Sequence, residues 1–186
     1  MSHLEEMYEK FSRNRSQDTF AHLPFFREVG RGNVVEIGVF EGASTSAFLL
    51  GVKECGGHVF SIDVDLYGKQ PGKLFPNTPE WTFINANSFQ CANIILPALP
   101  PEFDVLFVDG SHEYEDVKLD LSLYSPRVKK GGLILVHDIC PPDQKEYPGG
   151  IYFEGVRRAF DEFVKEMGFD FEIREQSYGL GVIHVR

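Results

Sequence analysis

The stretch Val34-Val-Glu-Ile-Gly-Val-Phe-Glu-Gly-Ala-Ser-Thr-Ser46 decides the fold of this chain. Its β-branched residues predict a buried strand that ends at Gly38. A turn closed by Gly42 follows, and the run 43–50 predicts a helix that begins at its hydroxyl-rich end. Glycines let a ligand approach the backbone, and the free N–H groups of a helix start favour anionic oxygens. The stretch therefore predicts a nucleotide-type cofactor site.

The spacing of these glycines indicates which cofactor is bound. Dinucleotide sites use G-x-G-x-x-G, so that a pyrophosphate can lie against bare backbone. Here Gly38 and Gly42 are spaced G-x-x-x-G, and Glu41 places a carboxylate where the pyrophosphate would lie, which disfavours NAD and FAD. With Glu36, the pattern E-x-G-x-x-x-G resembles the first motif of class I S-adenosylmethionine (SAM) dependent methyltransferases, whose ligand carries a sulfonium and an ammonium group. The alternative is an ordinary strand-turn-helix crossover of another α/β protein.

Length and composition limit the number of domains, the kinds of partner and the location that we expect. A chain of 186 residues with 42% hydrophobic residues suits one domain with a substantial core. The net charge of −10 disfavours nucleic acid as a partner, because phosphate backbones select for basic surfaces. The sequence lacks a membrane-length apolar run and a signal-peptide pattern, so we expect no membrane partner and a cytoplasmic location. Its three cysteines lack metal-type spacing and are interpreted as reduced thiols, and self-association into a homo-oligomer is left open.

The first 30 residues predict a helical preface to the domain at 31–186. Apolar residues recur there at helical spacing, and a second apolar cluster surrounds Pro24. These residues are Leu4, Met7, Tyr8 and Phe11, then Phe20, Leu23, Phe25 and Phe26. We expect the preface to dock against the domain, in preference to capping a substrate pocket.

A second strand, His58–Asp63, places an acid at its end. In doubly wound sheets, a carboxylate roughly 20 residues beyond the glycine turn accepts hydrogen bonds from ribose hydroxyls. Asp63 is the candidate and Asp65 its competitor. Since NAD and SAM both contain ribose, this acid indicates a nucleoside without choosing between them.

Two proline-rich stretches, 66–80 and 140–150, are predicted to be long loops at the same rim. The first is expected to contain no regular helix and to act as a lid or be disordered. Between them, Trp81–Ile84 predicts the third strand. Asn87 and Ser88 follow it, where small polar side chains can bond an adenine edge or cap the next helix.

Two further apolar runs are each followed by aspartate and histidine residues, which we expect at one edge of the predicted sheet. Val105–Val108 is followed by Asp109 and His112, and the run from Gly131 ends in His137-Asp138. Ligands of open α/β sheets bind at the carboxyl ends of the strands. The two carboxylates and His137 could hold Mg²⁺ or Mn²⁺. Alternatively, Asp109 pairs with the SAM ammonium, His137 is a hydrogen-bonded core residue and Asp138 caps the following loop.

The end of the chain predicts a helix followed by an antiparallel pair. Apolar residues keep helical spacing from Phe153 to Met167. The segments 169–174 and 180–185 then alternate around Ser177-Tyr-Gly179, which is typical of a closing hairpin.

Together, VVEIGVFEGAST, VFSIDVD, FDVLFVDGSHEYEDV and GGLILVHDI resemble the class I methyltransferase superfamily along nearly the whole chain. The D-G-S-H and H-D pieces are similar to macrocin-type and other small-molecule O-methyltransferases, and more loosely to catechol O-methyltransferase. The resemblance implies a doubly wound, Rossmann-like α/β fold of seven strands, six parallel and one late strand reversed, with helices on both faces. Catechol-type enzymes end the fifth strand with Asp-Asn as metal ligands, whereas His137-Asp138 stands here.

The resemblance also assigns site residues. It implies that the methionine end of SAM lies against Glu36, Gly38, Phe40, Gly42 and Ser44. Asp63 would hold the ribose, Asn87 and Ser88 would lie by the adenine, and Asp109 would face the SAM amino group or a metal. His112 occupies the position of a general base. The other interpretation of His112 is that it bonds a loop carbonyl or begins the helix at Tyr114.

The sequence thus predicts a SAM-dependent methyltransferase acting on a hydroxyl group of a small molecule. The enzyme would hold the acceptor oxygen in line with the sulfonium methyl group and remove the hydroxyl proton. Two alternatives remain at this point. One is an oxidoreductase with an NAD-type nucleoside cofactor, and the other is a protein that binds SAM without turning it over.

Overall fold

A computed structural model describes residues 1–15, 18–64, 71–140 and 151–186, and within it seven strands form one sheet. The strands are β1 (Gly32–Ile37), β2 (Gly57–Asp63), β3 (Trp81–Asn85), β4 (Phe103–Val108), β5 (Val128–His137), β6 (Asp170–Arg174) and β7 (Leu180–His184). Their order across the sheet is β3-β2-β1-β4-β5-β7-β6. Strands β1 to β5 pair in parallel, whereas β7 is antiparallel to both β5 and β6. Six strands therefore share one direction and β7 is reversed, which confirms the predicted fold.

Helices cover both faces of this sheet. They are α1 (His3–Arg13), α2 (Leu23–Val29), α3 (Ala43–Cys55), α4 (Pro71–Leu74), α5 (Ala92–Ala98), α6 (Tyr114–Tyr124) and α7 (Ile151–Met167), with 3-10 turns at Phe20–His22 and Ser125–Arg127. One buried apolar cluster joins α1, α2 and α3 to one face, and a second joins α5, α6 and α7 to the other. None of the helices in the described ranges is long and apolar enough to cross a membrane.

The central strands show why their sequences are continuously apolar. In β4, Phe107 belongs to the first cluster and Leu106 to the second, and both side chains are fully buried. In β1, Val34 belongs to the first cluster and Val35 to the second. A strand covered on both faces needs apolar residues at every position, which is the pattern expected of a parallel sheet between helical layers.

The N-terminal preface docks through its apolar residues. Ser2 and Glu5 form a capping box that begins α1. Leu4 and Phe11 of α1 are buried in the same cluster as Phe48 of α3. This packing fixes the preface against the helix that starts at the glycine turn.

Several elements differ from the sequence prediction. The stretch 66–80, expected to lack a regular helix, contains the single turn α4 at Pro71–Leu74, because a proline at the first helical position sacrifices no hydrogen bond. The helix expected after Ser88 is α5, whose bounds were not predicted, and β5 starts at Val128, three residues before Gly131. The predicted loop at 140–150 falls outside the described residues, apart from Cys140.

Candidate active site

A cavity of about 410 Å³ lies at the carboxyl ends of β1, β2 and β4. Its size suits a small ligand, and its place is the one at which open α/β sheets bind their ligands. The cavity is lined by the glycine turn, the ends of β2 and β4, the loop after β3 and two residues of the preface. The described lining includes Asp18, Thr19, Gly38, Phe40, Ser44, Asp63, Asn87, Ser88, Asp109, His112, Asp116 and Asp120.

The glycine turn brings its backbone against the end of β4. Gly38 has a φ of +93°, and a Cβ there would lie 2.0 Å from the carbonyl oxygen of Asp109. Only glycine tolerates this approach in a left-handed conformation. Phe40 also has a positive φ of 49°, and its side chain borders the cavity. Sequence and structure therefore agree that this turn forms one wall.

Asp63 ties β2 to the glycine turn. Its Oδ2 accepts hydrogen bonds from the backbone N–H groups of Val39, at 2.7 Å, and Phe40, at 3.1 Å. The carboxylate also lines the cavity. Asp63 thus shapes the turn, and its predicted contact with a ribose stays a prediction. The competing candidate, Asp65, lies outside the described residues.

Glu36 is fully buried beneath the turn. Its carboxylate accepts hydrogen bonds from the hydroxyl groups of Ser44 at 2.6 Å, Thr45 at 2.7 Å and Ser61 at 2.6 Å. Burial raises the pKa of Glu36 to about 7, against the opposing effect of these hydroxyls. The described cavity lining includes Ser44 but neither Glu36 nor Gly42, both of which the resemblance placed beside the methionine end. Glu36 fastens the start of α3 to β1 and β2.

Asp109, His137 and Asp138 come together at the ends of β4 and β5. His137 Nδ1 lies 3.2 Å from Asp109 Oδ1 and 3.4 Å from Asp138 Oδ1. Burial raises the pKa of Asp109 to about 6, with His137 opposing the rise. Burial also disfavours a charged imidazole, but the two carboxylates outweigh it and hold the pKa of His137 well above its usual value. The three side chains therefore bring one nitrogen atom and two carboxylate oxygens together as potential metal ligands.

The tautomer of His137 follows from its other nitrogen. Nε2 lies 2.9 Å from the carbonyl oxygen of Ser177, which can only accept, so Nε2 carries a hydrogen. Nδ1 therefore faces two carboxylate oxygens and needs either a second proton or a cation beside it. In the described ranges, these three residues are the group that could hold a metal ion, with all ligand atoms within 4.8 Å of one another.

His112 pairs with Asp138 rather than standing alone. Its Nε2 lies 2.8 Å from Asp138 Oδ2, and its side chain is 34% exposed. This hydrogen bond raises the pKa of His112. Burial would raise the pKa of Asp138, but hydrogen bonds from His112 and His137 lower it to about 2. Asp138 is therefore an ionised carboxylate shared by two imidazoles.

The loop after β3 is hydrogen-bonded to α6, and both line the cavity. Asn87 Oδ1 accepts the backbone N–H of Gln90, so this side chain caps the following turn as well as lining the cavity. Ser88 Oγ donates to Asp120 Oδ1 at 2.6 Å. Asp120 is 1% exposed, and burial raises its pKa to about 7.

The sequence did not predict four polar residues of the lining. These are Asp18, Thr19, Asp116 and Asp120. A signal existed for Asp120, which lies on the apolar face that Val117, Leu121 and Tyr124 define on α6. Thr19 gave none, because the preface reaches the cavity only through the tertiary fold. Its hydroxyl is buried, with no hydrogen-bond partner in the described part of the chain.

Known proteins resemble this chain in sequence and in structure. Residues 35–139, more than half of the chain, match the family model described as a methyltransferase domain. Uncharacterized protein R132 of Acanthamoeba polyphaga mimivirus is 36% identical over 112 residues, 56% of this chain and 50% of that protein. The chain thus matches about half the length of this relative.

Solved structures share the fold at low sequence identity. An O-methyltransferase from Bacillus cereus, in complex with S-adenosylhomocysteine (SAH), superposes with a TM-score of 0.68 at 15% identity, over 98% of this chain and 90% of that one. The MycE methyltransferase of the mycinamycin pathway, in complex with Mg, SAH and mycinamycin VI, gives 0.68 at 16% identity, over 98% and 54%. At these identities, the likeness establishes the shared fold.

Proposed function

The chain belongs to the methyltransferase-domain family, and from that premise we propose that it uses SAM to methylate a hydroxyl group of a small molecule. Family membership confirms the resemblance found in the sequence. The observation that carries the cofactor assignment is the charge of the cavity. Its described lining contains five aspartates and neither lysine nor arginine.

This charge favours a cationic ligand over a phosphorylated one. The five acids are Asp18, Asp63, Asp109, Asp116 and Asp120. The sulfonium and ammonium groups of SAM are attracted by such a surface, whereas the pyrophosphate of NAD or FAD would be repelled. The glycine turn with Glu41 points the same way. An NAD-type oxidoreductase is therefore the weaker alternative.

The methionine end of SAM has matching groups in the cavity. The buried hydroxyl of Thr19 lacks a partner within the described chain and can donate a hydrogen bond to the SAM carboxylate. Asp109 supplies an acceptor for the ammonium group. We assign the ribose hydroxyls to Asp63, which lies at the end of β2 and lines the cavity. The residues present therefore fit the cofactor.

His112 is the residue we assign to proton removal. Because Asp138 is an acceptor at Nε2, it holds the imidazole with the hydrogen on that nitrogen and leaves Nδ1 basic. His112 borders the cavity together with Gly38 and Ser44 of the glycine turn. There Nδ1 takes the proton of the acceptor hydroxyl as the oxygen takes the methyl group. SAM, when bound, supplies that methyl group.

Asp109, His137 and Asp138 fit a divalent cation as well as a proton. In octahedral coordination at about 2.1 Å, neighbouring ligand atoms lie about 3 Å apart. The distances from His137 Nδ1 to the two carboxylate oxygens, 3.2 Å and 3.4 Å, are close to this value. The bond from Nε2–H to the Ser177 carbonyl is the outer contact that metal-binding histidines make. When bound there, Mg²⁺ or Mn²⁺ would polarise and orient the acceptor oxygen.

Calorimetry with purified protein tests the proposal. SAM and SAH should bind in the micromolar range, about −8 kcal/mol, while NAD shows no saturable binding. The reverse order would refute the cofactor assignment. A screen of hydroxylated small molecules with methyl-labelled SAM then separates the enzyme from the non-catalytic SAM-binding alternative, because transfer to any acceptor excludes the latter.

A further inference from the structure

Asp120 is a buried carboxylate whose two oxygens have different surroundings. The residue is 1% exposed and borders the cavity. Oδ1 accepts the hydrogen bond from Ser88 Oγ at 2.6 Å, whereas none of the described residues donates to Oδ2. Oδ2 is therefore available to a ligand that brings its own donor.

The space next to Oδ2 is suited to a flat ring. A Cβ built on Gly110 would lie 3.2 Å from Ile37 Cγ2 and 4.0 Å from Oδ2, so this oxygen lies close to the Gly110 backbone at the end of β4. Gly110 itself lines the cavity, and so do the apolar side chains of Ile62, Ala86 and Phe89. Apolar walls with one polar atom at the edge are the usual surroundings of a heterocyclic base.

We infer that Asp120 Oδ2 accepts a hydrogen bond from the exocyclic amino group of the cofactor's adenine and so determines specificity for the base. This inference rests on the proposed SAM-binding function. An amino group at C6 donates toward the carboxylate, whereas a 6-oxo group in the same place presents an acceptor to an acceptor. A site built to receive an N–H rejects analogues that lack it.

The other acid on this side of the cavity, Asp116, is less buried than Asp120. Asp116 Oδ2 accepts a hydrogen bond from Ser111 Oγ at 2.8 Å, and the residue is only half-buried. Asp116 is therefore a matched control, with the same side chain on the same helix in the same lining. Its conversion to an amide should leave the choice of base unchanged.

A structural role alone would also be consistent with part of this geometry. Asp120 holds Ser88 through its hydroxyl, and the loop could depend on that bond. However, Tyr124 OH donates to the backbone oxygen of Ser88 at 2.8 Å, which gives the loop a second anchor to α6. Replacement of the Asp120 Oδ2 acceptor is therefore expected to change recognition of the base more than the position of the loop.

The decisive experiment compares two ligands in three proteins by calorimetry. The ligands are SAH and S-inosylhomocysteine, in which the 6-amino group is replaced by an oxo group. Wild-type protein and Asp116→Asn should bind SAH at least about tenfold more tightly. In Asp120→Asn, Ser88 holds Oδ1 and the amide N–H₂ replaces Oδ2, so the ratio should fall to about one or invert.

An unchanged ratio in Asp120→Asn, with both ligands weakened equally, would overturn the inference and leave Asp120 a structural residue. If this variant does not fold, the test uses the wild-type protein alone, and calorimetry compares SAH with an analogue that carries hydrogen at C6. That analogue should lose at least about tenfold in affinity, and equal binding would also overturn the inference. Wild-type protein that does not bind SAH at all would refute the proposed function itself.

Discussion

Asp138 Oδ2 lies 2.8 Å from His112 Nε2, so the residue that follows β5 holds the imidazole delivered by the loop after β4. The carboxylate is 4% exposed and the imidazole 34%. A buried ionised acid behind a partly exposed histidine fixes the tautomer and stabilises the protonated ring. This is the arrangement that a general base needs.

Replacement of His112 by alanine should lower kcat by about 10²- to 10⁴-fold, because that is the usual contribution of a general base. SAM affinity should change by less than about 1 kcal/mol, since the cofactor contacts lie on other residues. Steady-state kinetics combined with calorimetry separates the two quantities. Unaltered kcat, or a loss explained wholly by weaker SAM binding, would return His112 to a structural role.

The pH dependence of the wild-type rate gives an independent measurement. Asp138 raises the pKa of His112, and only the neutral imidazole can accept a proton. The rate should therefore rise with pH and level off above a pKa higher than the usual value near 6.5. A rate that stays flat from pH 6 to 9 would contradict the assignment.

Much of the fold could be predicted because the central strands are buried on both faces. A continuous apolar run such as Val105–Val108 is typical of a strand between two helical layers, and the glycine at position 38 marks where β1 ends. The bounds of helix α5 could not be predicted because it has only seven residues and contains Pro97. A short segment with an internal proline carries almost no periodic signal.

The site was less predictable than the fold because side-chain directions depend on tertiary structure. The sequence placed Asp109, His112, His137 and Asp138 at one rim, and the structure brings them into contact. It could not show that Asp138 serves both histidines, since this depends on its left-handed φ of 60°. The proposed roles of Thr19 and Asp120 rest on contacts between elements distant in sequence.

Replacement of Asp63 by alanine should weaken SAM binding by roughly 1 to 3 kcal/mol. The ribose hydroxyls would lose their acceptor, and the backbone N–H groups of Val39 and Phe40 would lose theirs. Calorimetry measures the change, and Asp65→Ala is the matched control that should bind SAM normally. If Asp65→Ala weakens binding and Asp63→Ala does not, the ribose contact belongs to Asp65.

Mn²⁺ should bind saturably to the protein, and EDTA should abolish methyl transfer. The reason is that His137 Nδ1 faces two carboxylate oxygens, where a cation replaces the second proton. Calorimetric titration with Mn²⁺ is independent of activity, and Asp109→Asn should remove most of the heat of binding. Asp116→Asn is the control, because that acid is held by Ser111. Activity that survives EDTA unchanged would leave His137 as an imidazolium between two carboxylates.

The buried Glu36 should make the cofactor-free protein less stable as pH rises. Burial raises its pKa from 4.5 in the unfolded chain to about 7, so the folded state binds the extra proton between these values. Stability from this group is complete below pH 4.5 and is lost as pH passes through 7, by about 3 kcal/mol in total. Glu36→Gln lacks this titration and can still bond Ser44, Thr45 and Ser61, whose hydroxyls can reverse their roles.

Denaturant unfolding from pH 5 to pH 8 measures the unfolding free energy of Glu36→Gln and of the wild type. The contributions of the other titrating groups cancel in the difference between the two values. That difference should move in favour of the glutamine variant as pH rises. Ser44→Ala removes a hydrogen bond that lowers the pKa of Glu36, so this pKa should be higher in the variant. The pH-dependent loss of stability caused by Glu36 should therefore continue to higher pH in Ser44→Ala than in the wild type. A difference that stays constant across this range would mean that Glu36 is ionised throughout and that its three hydroxyl donors outweigh burial.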